Sequence, residues 1–343
     1  MSDLKIIKFN TCWLILLTCY GQLYSQHYPA LFDSVYSQYN SEAASHFERL
    51  VAAQAEEYGE EEAAKMSHDF SVRYYYAGDI VVALKFAEKE IKLLERIDPT
   101  GRAYNKAIYQ AGFFNERSRD YQQAISYYKK IIELNVDHEY IARSYCRIGS
   151  CYDGLGDVYK ALDYYNEGIL RLEGQQSHNN LARNYNNLAA LYMNIGTKEG
   201  LELQLSSLRK VESLQQYVTL SPARLAITHN LLGDYYNNKV PHNFDSAKFH
   251  YNIALQNAQH IQDSTRIQAA LVNLGILHAK AQQDSALWYL HEGLKFAVSD
   301  ASRINAYRAL SDFYFEKGTA HLDKALQYIN KGIASNLFHE EPF

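Results

Sequence analysis

The stretch YCRIGSCYDGLGDVYKALDYYNEG, residues 145–168, decides the fold of this chain. Large and small residues recur in it at helical spacing on both sides of its glycine-rich centre: Tyr145, Ile148, Gly149, Tyr152, Ala161, Tyr165 and Gly168. Because residues three and four positions apart share one face of a helix, each half of the stretch predicts a helix with an apolar face. The small residues let the two helices approach closely, so the stretch predicts a packed helix pair.

The same order of large, small and aromatic residues returns along almost the whole chain. Each copy can be followed by the residue that starts its second helix: Ala43, Ala83, Ala124, Ala161, Leu201, Ala247, Ala286 and Ala325. Neighbouring copies of this residue are 37 to 46 positions apart. One helix pair cannot bury its own apolar face, so a period of this length predicts stacked helix pairs.

The recurring pair resembles the tetratricopeptide repeat, whose helix-turn-helix unit is about 34 residues long. The units here are longer, and NNLAALY at 186–192 is most similar to kinesin-light-chain-type and bacterial regulatory members. The resemblance implies an all-α, right-handed superhelical solenoid of about eight antiparallel helix pairs. It also implies an exported bacterial scaffold that binds a protein or peptide and catalyses no reaction.

The pattern predicts a simple domain organisation. We expect residues 27–58 to form a degenerate helix pair that caps the N-terminal end, as terminal repeats often do. Residues 59–337 should form about seven repeats, and residues 338–343 a short tail. No Pro-, Gly- or Ser-rich linker interrupts the pattern.

Residues 1–26 have the layout of a secretory signal peptide: two lysines, the apolar run 12–17, and then small and polar residues. Cleavage is expected after Gly21 or near Gln26, which predicts an exported protein of the periplasm or cell envelope. An uncleaved anchor and a chance apolar start are the alternatives. Cys19 follows a threonine instead of the small residue of a lipoprotein motif, which argues against lipidation. No further stretch is long and apolar enough to span a bilayer.

Composition and motifs argue against most other function classes. The formal net charge is −5, so the chain lacks the basic character expected of a nucleic-acid-binding protein. It contains no zinc-protease motif, no Cys-x-x-Cys pair and no phosphate-binding loop. Cys146 and Cys151 are five residues apart on one predicted helix, beyond the reach of an undistorted disulfide. We therefore predict no catalytic residue, no metal and no cofactor.

In the family that the chain resembles, first-helix side chains at relative positions 2, 5, 6, 9, 12 and 13 line the concave face, where Tyr145 is position 4 of its unit. Position 2 is basic in four consecutive units, position 6 adds one arginine, and asparagines follow at positions 5 or 6. These candidate groove residues are Lys65, Lys106, Arg143, Arg147, Arg183, Asn187, Asn230 and Asn273. A cation in the first turn of a helix is mildly unfavourable, so helix stability does not explain the basic series.

The candidate groove residues predict two kinds of contact with a partner. Arginine pairs well with carboxylates, and asparagine offers a donor and an acceptor to a peptide backbone. We therefore expect a groove for an acidic segment or a C-terminal carboxylate. The alternative interpretation is that the basic residues pair with neighbouring acids such as Glu62 and Asp69, or face solvent.

Two further interpretations follow from the sequence. Leu337, Phe338 and Phe343 leave the C-terminal end apolar, which suggests self-association through that end. The exported proteins that the chain resembles often carry a membrane helix and an output domain. The alternative function is therefore the sensory part of an envelope signalling or transcription-regulator system. A subunit of an envelope complex is a third possibility.

Overall fold

The computed structural model describes residues 42–239 and 241–337, and these divide between Gly168 and Ile169 into two compact units. The predicted signal peptide, the predicted first helix of the capping pair and the tail 338–343 lie outside the described residues. Export therefore stays a prediction, and so does the expectation that Cys19 is not lipidated.

In the first unit, the described helices follow one another with short turns. They are α1 (Ala43–Tyr58), α2 (Glu60–Tyr76), α3 (Ile80–Ile97), α4 (Arg102–Arg117), α5 (Tyr121–Leu134), α6 (His138–Gly154) and α7 (Val158–Glu173), whose last residues belong to the second unit. Consecutive helices pack against each other, as in α2 with α3 and α4 with α5.

The second unit repeats this arrangement. Its helices are α8 (His178–Ile195), α9 (Lys198–Leu214), α10 (Pro222–Asn238), α11 (Phe244–His260), α12 (Ser264–Lys280), α13 (Ser285–Lys295), α14 (Asp300–Glu316) and α15 (Leu322–Leu337), with a 3-10 turn at Thr319–His321. The all-α fold of consecutive helix pairs predicted from the sequence is confirmed, and strands are absent from the described residues.

Short polar residues start many of these helices. The carboxylate of Asp79 accepts a hydrogen bond from the Val82 amide, and Ser221 caps α10 just before Pro222. Such side chains satisfy amide groups that have no partner inside the helix, and proline is well tolerated at the first helical position. At the end of α8, Gly196 adopts a φ of 70°, which favours glycine. The turns between helices are thus encoded locally.

Large rings packed on small residues form the core of each unit. In the first unit, a Cβ added to Gly149 would lie 2.9 Å from Cδ1 of Tyr165. A Cβ at Gly112 would lie 2.7 Å from Cε1 of Tyr128. Both tyrosine rings are fully buried, so a glycine here is needed for the close approach of helices. This is the physical basis of the alternating large and small residues in the sequence.

Cys146 and Cys151 are both buried on α6. Only 3% of Cys146 and 0% of Cys151 is exposed, so both thiols belong to the core. Cys146 packs against Gly168 of α7, where the missing side chain makes room for its sulfur.

Within residues 42–239 and 241–337, no helix combines the length and the apolar composition needed to cross a bilayer.

Leu326, Ile329 and Ile333 of α15 are exposed, and they follow one another at helical spacing. This apolar face belongs to the described part of the C-terminal end, and self-association through it stays a prediction.

Candidate functional site

The guanidinium of Arg143 on α6 lies over two aromatic rings. Its guanidinium carbon lies 4.4 Å from the ring centre of Tyr109 and 5.1 Å from that of Tyr140. Its ion-pair contact with Glu139 is long, 3.5 Å from Nη1 to Oε1, and 25% of the side chain is exposed. Cation–π contacts orient a guanidinium without using its N–H donors. Arg143 therefore retains donors for a carboxylate from outside.

Arg147 lies one turn further along α6 in a different environment. Its Nη1 donates to Oε1 of Glu116 at 3.2 Å, and its Nε donates to the hydroxyl of Tyr109 at 3.0 Å. Glu116 also accepts hydrogen bonds from Tyr128 and Ser150, each at 3.0 Å. Only 22% of the Arg147 side chain and 10% of the Glu116 side chain are exposed. Arg147 is thus part of a buried, hydrogen-bonded ion pair.

The other two basic groove residues predicted in the first unit, Lys65 and Lys106, have partners of their own. Lys65 lies 3.2 Å from Glu61 and 2.7 Å from Glu62, and hydrogen bonds to Glu62 and then Glu61 raise its pKa. Lys106 contacts Nε2 of His68 at 3.4 Å, and Nδ1 of that histidine lies 3.1 Å from Glu90. Both lysines are exposed, so Lys65 pairs with local acids, Lys106 contacts a histidine, and both also face solvent.

In the second unit, the structure brings two of the predicted asparagines together. The amide nitrogen of Asn273 on α12 donates to Oδ1 of Asn230 on α10 at 3.2 Å. Arg183 and Asn187 lie half-buried on α8, and Asn187 makes no side-chain hydrogen bond to another described residue. The predicted residues thus belong to both units, with the basic ones mainly in the first.

Asp234 of α10 lies at the centre of this asparagine contact, but it was not among the groove residues predicted from the sequence. Its Oδ1 accepts from the hydroxyl of Tyr251 at 2.7 Å and from Asn273 at 3.1 Å. Burial raises the pKa of Asp234 to about 6, while the Tyr251 hydrogen bond and the charge of Lys280 act in the opposite direction. Asp234 occupies relative position 9 of its repeat unit, which is one of the inward positions. The repeat numbering alone could therefore have predicted it as a groove residue.

A histidine pair joins α10 to α11 in the same unit. The Nδ1 atoms of His229 and His250 are 2.9 Å apart, so one ring must carry a hydrogen there and the other must accept it. The ring of Tyr236 stacks on His250 with an interplanar angle of 6°. Burial lowers the pKa of both histidines, and the charge of His229 helps to bring that of His250 to about 4.

This pair predicts a pH-dependent stability. A folded-state pKa below the usual 6.5 means that the unfolded chain takes up protons first, so stability present at neutral pH is lost as the pH falls from about 6.5 towards 4. When the pH is lowered from 7 to 5, we expect the free energy of unfolding to fall by about 1 kcal/mol more in the native chain than in His250→Phe. This value allows for solvent screening at a half-exposed site. Urea unfolding of both proteins at the two pH values measures this, and equal losses would contradict it.

Metal chemistry has no support among residues 42–239 and 241–337, where no group of three or more histidine, cysteine, aspartate or glutamate side chains could hold an ion. His278 takes the place of a repeat tyrosine. Its Nδ1 lies 2.7 Å from the hydroxyl of Ser285, and its ring packs on Tyr289 at a centroid distance of 4.9 Å. His278 therefore has a packing role.

Comparisons with known proteins agree with this geometry. Residues 104–173, which span α4 to α7, match the family model of the tetratricopeptide repeat. No curated protein matches the chain in sequence.

Three solved structures are similar to the chain. The Rap conjugation gene regulator of the plasmid pLS20, in complex with the Phr* peptide, has a TM-score of 0.58 and 13% identity over 80% of this chain and 73% of that one. A tetratricopeptide repeat protein from Parabacteroides merdae ATCC 43184 has a TM-score of 0.52 and 14% identity over 79% and 93%. BtubC (BKLC) from P. vanneervenii has a TM-score of 0.52 and 19% identity over 63% and 89%. At these identities the likeness shows the fold alone.

The family model and the shared fold complete the argument from the repeats. The matched segment covers the pairs α4–α5 and α6–α7, and the remaining pairs repeat their spacing of large and small residues. Proteins built in this way are generally non-catalytic scaffolds for protein interactions. Residues 104–173 match the tetratricopeptide repeat, and the chain has the fold of tetratricopeptide repeat proteins.

Proposed function

We propose that the chain is a non-catalytic scaffold that binds an extended peptide or protein segment along the inward positions of its first helices. The fold itself supports a protein or peptide as the partner. The peptide bound to the Rap regulator, a protein of similar fold, supports the same choice. The proposal requires neither a cofactor nor a metal.

The observation that carries the proposal is the environment of Arg143. Two tyrosine rings hold its guanidinium, and its own acid, Glu139, is 3.5 Å away and 42% exposed in its side chain. An arginine oriented in this way can bind a carboxylate through two parallel hydrogen bonds. We therefore assign Arg143 the main contact with an acidic residue or C-terminal carboxylate of the partner. Arg147 has a supporting part, because Glu116 already neutralises it.

A random dodecapeptide phage library tests this proposal. The native full-length chain should select peptides that share acidic residues or an acidic end. For such a peptide, Arg143→Glu should weaken binding about tenfold or more, because an attraction becomes a repulsion between like charges. Fluorescence anisotropy with the labelled synthetic peptide measures the affinity.

Lys92→Glu is the matched control. It makes the same charge change at an exposed position on α3, a second helix, and should alter affinity by less than about twofold. Circular dichroism checks that both variants are folded. The acidic preference is refuted if the selected peptides lack acids or if Arg143→Glu binds them as tightly as the native chain. A library that yields no peptide at all would refute peptide binding itself.

A further inference from the structure

The carboxylate of Asp234 is unevenly satisfied. Oδ1 accepts two short hydrogen bonds, from Tyr251 at 2.7 Å and from Asn273 at 3.1 Å. Oδ2 has a single long contact within the described residues, 3.4 Å to the amide nitrogen of Asn230. A carboxylate oxygen can accept two hydrogen bonds, so Oδ2 retains acceptor capacity.

The neighbouring amide adds a second open acceptor. Asn273 must turn its NH₂ group towards Asp234, because its other terminal atom would place an oxygen against a carboxylate. The same nitrogen donates to Oδ1 of Asn230, so its two N–H groups are both used. Its carbonyl oxygen has no hydrogen-bond partner among the described residues. The groups of Asp234, Asn230 and Asn273 that remain available for further hydrogen bonds are therefore mainly acceptors.

Among the residues that the structure describes, the charge of Asp234 also lacks a direct counter-ion. Lys280 of α12 is the basic residue whose charge reaches it, but its Nζ is hydrogen-bonded to Asn237 at 3.3 Å. Tyr251, the other titratable group in contact, is neutral at ordinary pH and donates to Oδ1. Burial raises the pKa of Asp234 to about 6, so the group is ionised at neutral pH and poorly compensated.

We propose that Asp234, Asn230 and Asn273 form a subsite for a positively charged group of the bound segment, a lysine ammonium or an arginine guanidinium. Two open acceptors, one of them charged, suit a cation with several N–H donors. An anion would be repelled, and a neutral donor would leave the carboxylate charge uncompensated. This inference rests on the proposed peptide-binding function and gives the second unit a charge preference of its own.

Selection from the same random dodecapeptide library tests the subsite separately from Arg143. The native full-length chain should enrich peptides with lysine or arginine at one fixed position, independently of the acidic preference. Asp234→Asn should lose the basic preference and keep the acidic one, whereas Arg143→Glu should do the reverse. Asp245→Asn, the same charge change at an exposed position of α11, should keep both preferences.

A double-mutant cycle separates a direct contact from a structural effect. One selected peptide is synthesised with its basic residue and with glutamine in its place, and each is bound to the native chain and to Asp234→Asn. We expect Asp234→Asn to lower the affinity for the basic peptide roughly tenfold or more, and the affinity for the glutamine peptide by less than about threefold. An equal loss for both peptides, or selected peptides without a basic preference, overturns the subsite while peptide binding stands. If no peptide is selected, both proposals fail together.

Discussion

Replacing Arg147 with alanine is expected to lower the free energy of unfolding by about 3 to 5 kcal/mol, the usual cost of breaking a buried ion pair. The variant leaves Glu116 in the core with hydroxyl donors alone, from Tyr128 and Ser150. Two hydroxyl groups do not balance a carboxylate that is only 10% exposed in its side chain. Urea unfolding followed by far-UV circular dichroism measures the loss.

Two further variants identify the cause of that loss. Lys65→Ala breaks an ion pair whose lysine is 53% exposed in its side chain, and should cost less than about 1 kcal/mol. Arg147→Met combined with Glu116→Gln removes both buried charges, and should recover much of the stability lost in Arg147→Ala. The interpretation of a buried ion pair is wrong if Arg147→Ala costs no more than Lys65→Ala.

Replacing Gly233 with alanine is the second change with a large expected effect, a loss of about 3 kcal/mol. The added Cβ would lie 2.9 Å from Cζ of Tyr251 and closer still to two other ring carbons. That ring is 1% exposed, and its hydroxyl is hydrogen-bonded to Asp234, so it cannot move aside without breaking other contacts. Overpacking of a core typically costs about 1 to 3 kcal/mol, and a confined ring places this site at the upper end.

Gly332→Ala is the matched control, and its effect should have the opposite sign. Gly332 lies inside α15, and an added Cβ would approach nothing nearer than Cβ of Tyr307, at 3.8 Å. Alanine in a helix is favoured over glycine by about 0.5 to 1 kcal/mol, so this variant should be slightly more stable than the native chain. Thermal unfolding compares the two variants. Destabilisation by both, or by neither, would contradict packing on Tyr251 as the cause.

The two histidines and Asp234 belong to one unit and respond to pH in opposite directions. The lowered pKa of His250 costs stability as the pH falls, whereas the raised pKa of Asp234 costs stability as the pH rises through about 6. The experiment on His250→Phe avoids this overlap, because the contribution of Asp234 is common to both proteins.

The sequence by itself determined the helix pairs. Residues such as Ala161 and Tyr165 are four positions apart, and such short-range spacing on one chain segment defines a helix face whatever lies beyond it. Each residue that marked the start of a second helix lies within the first four residues of a helix in the structure. Even the contact of Gly233 with Tyr251 follows from the rule that a small residue faces a large one.

Only the tertiary structure decided how the polar side chains are used. Glu116 meets Arg147 across 31 positions of sequence, and Asn273 meets Asp234 across 39. Such partners depend on how two first helices of successive pairs are placed against each other, which spacing within one helix does not specify. For the same reason, similar residues at inward positions differ: Arg143 keeps open donors, while Arg147, one turn away, is neutralised inside the core.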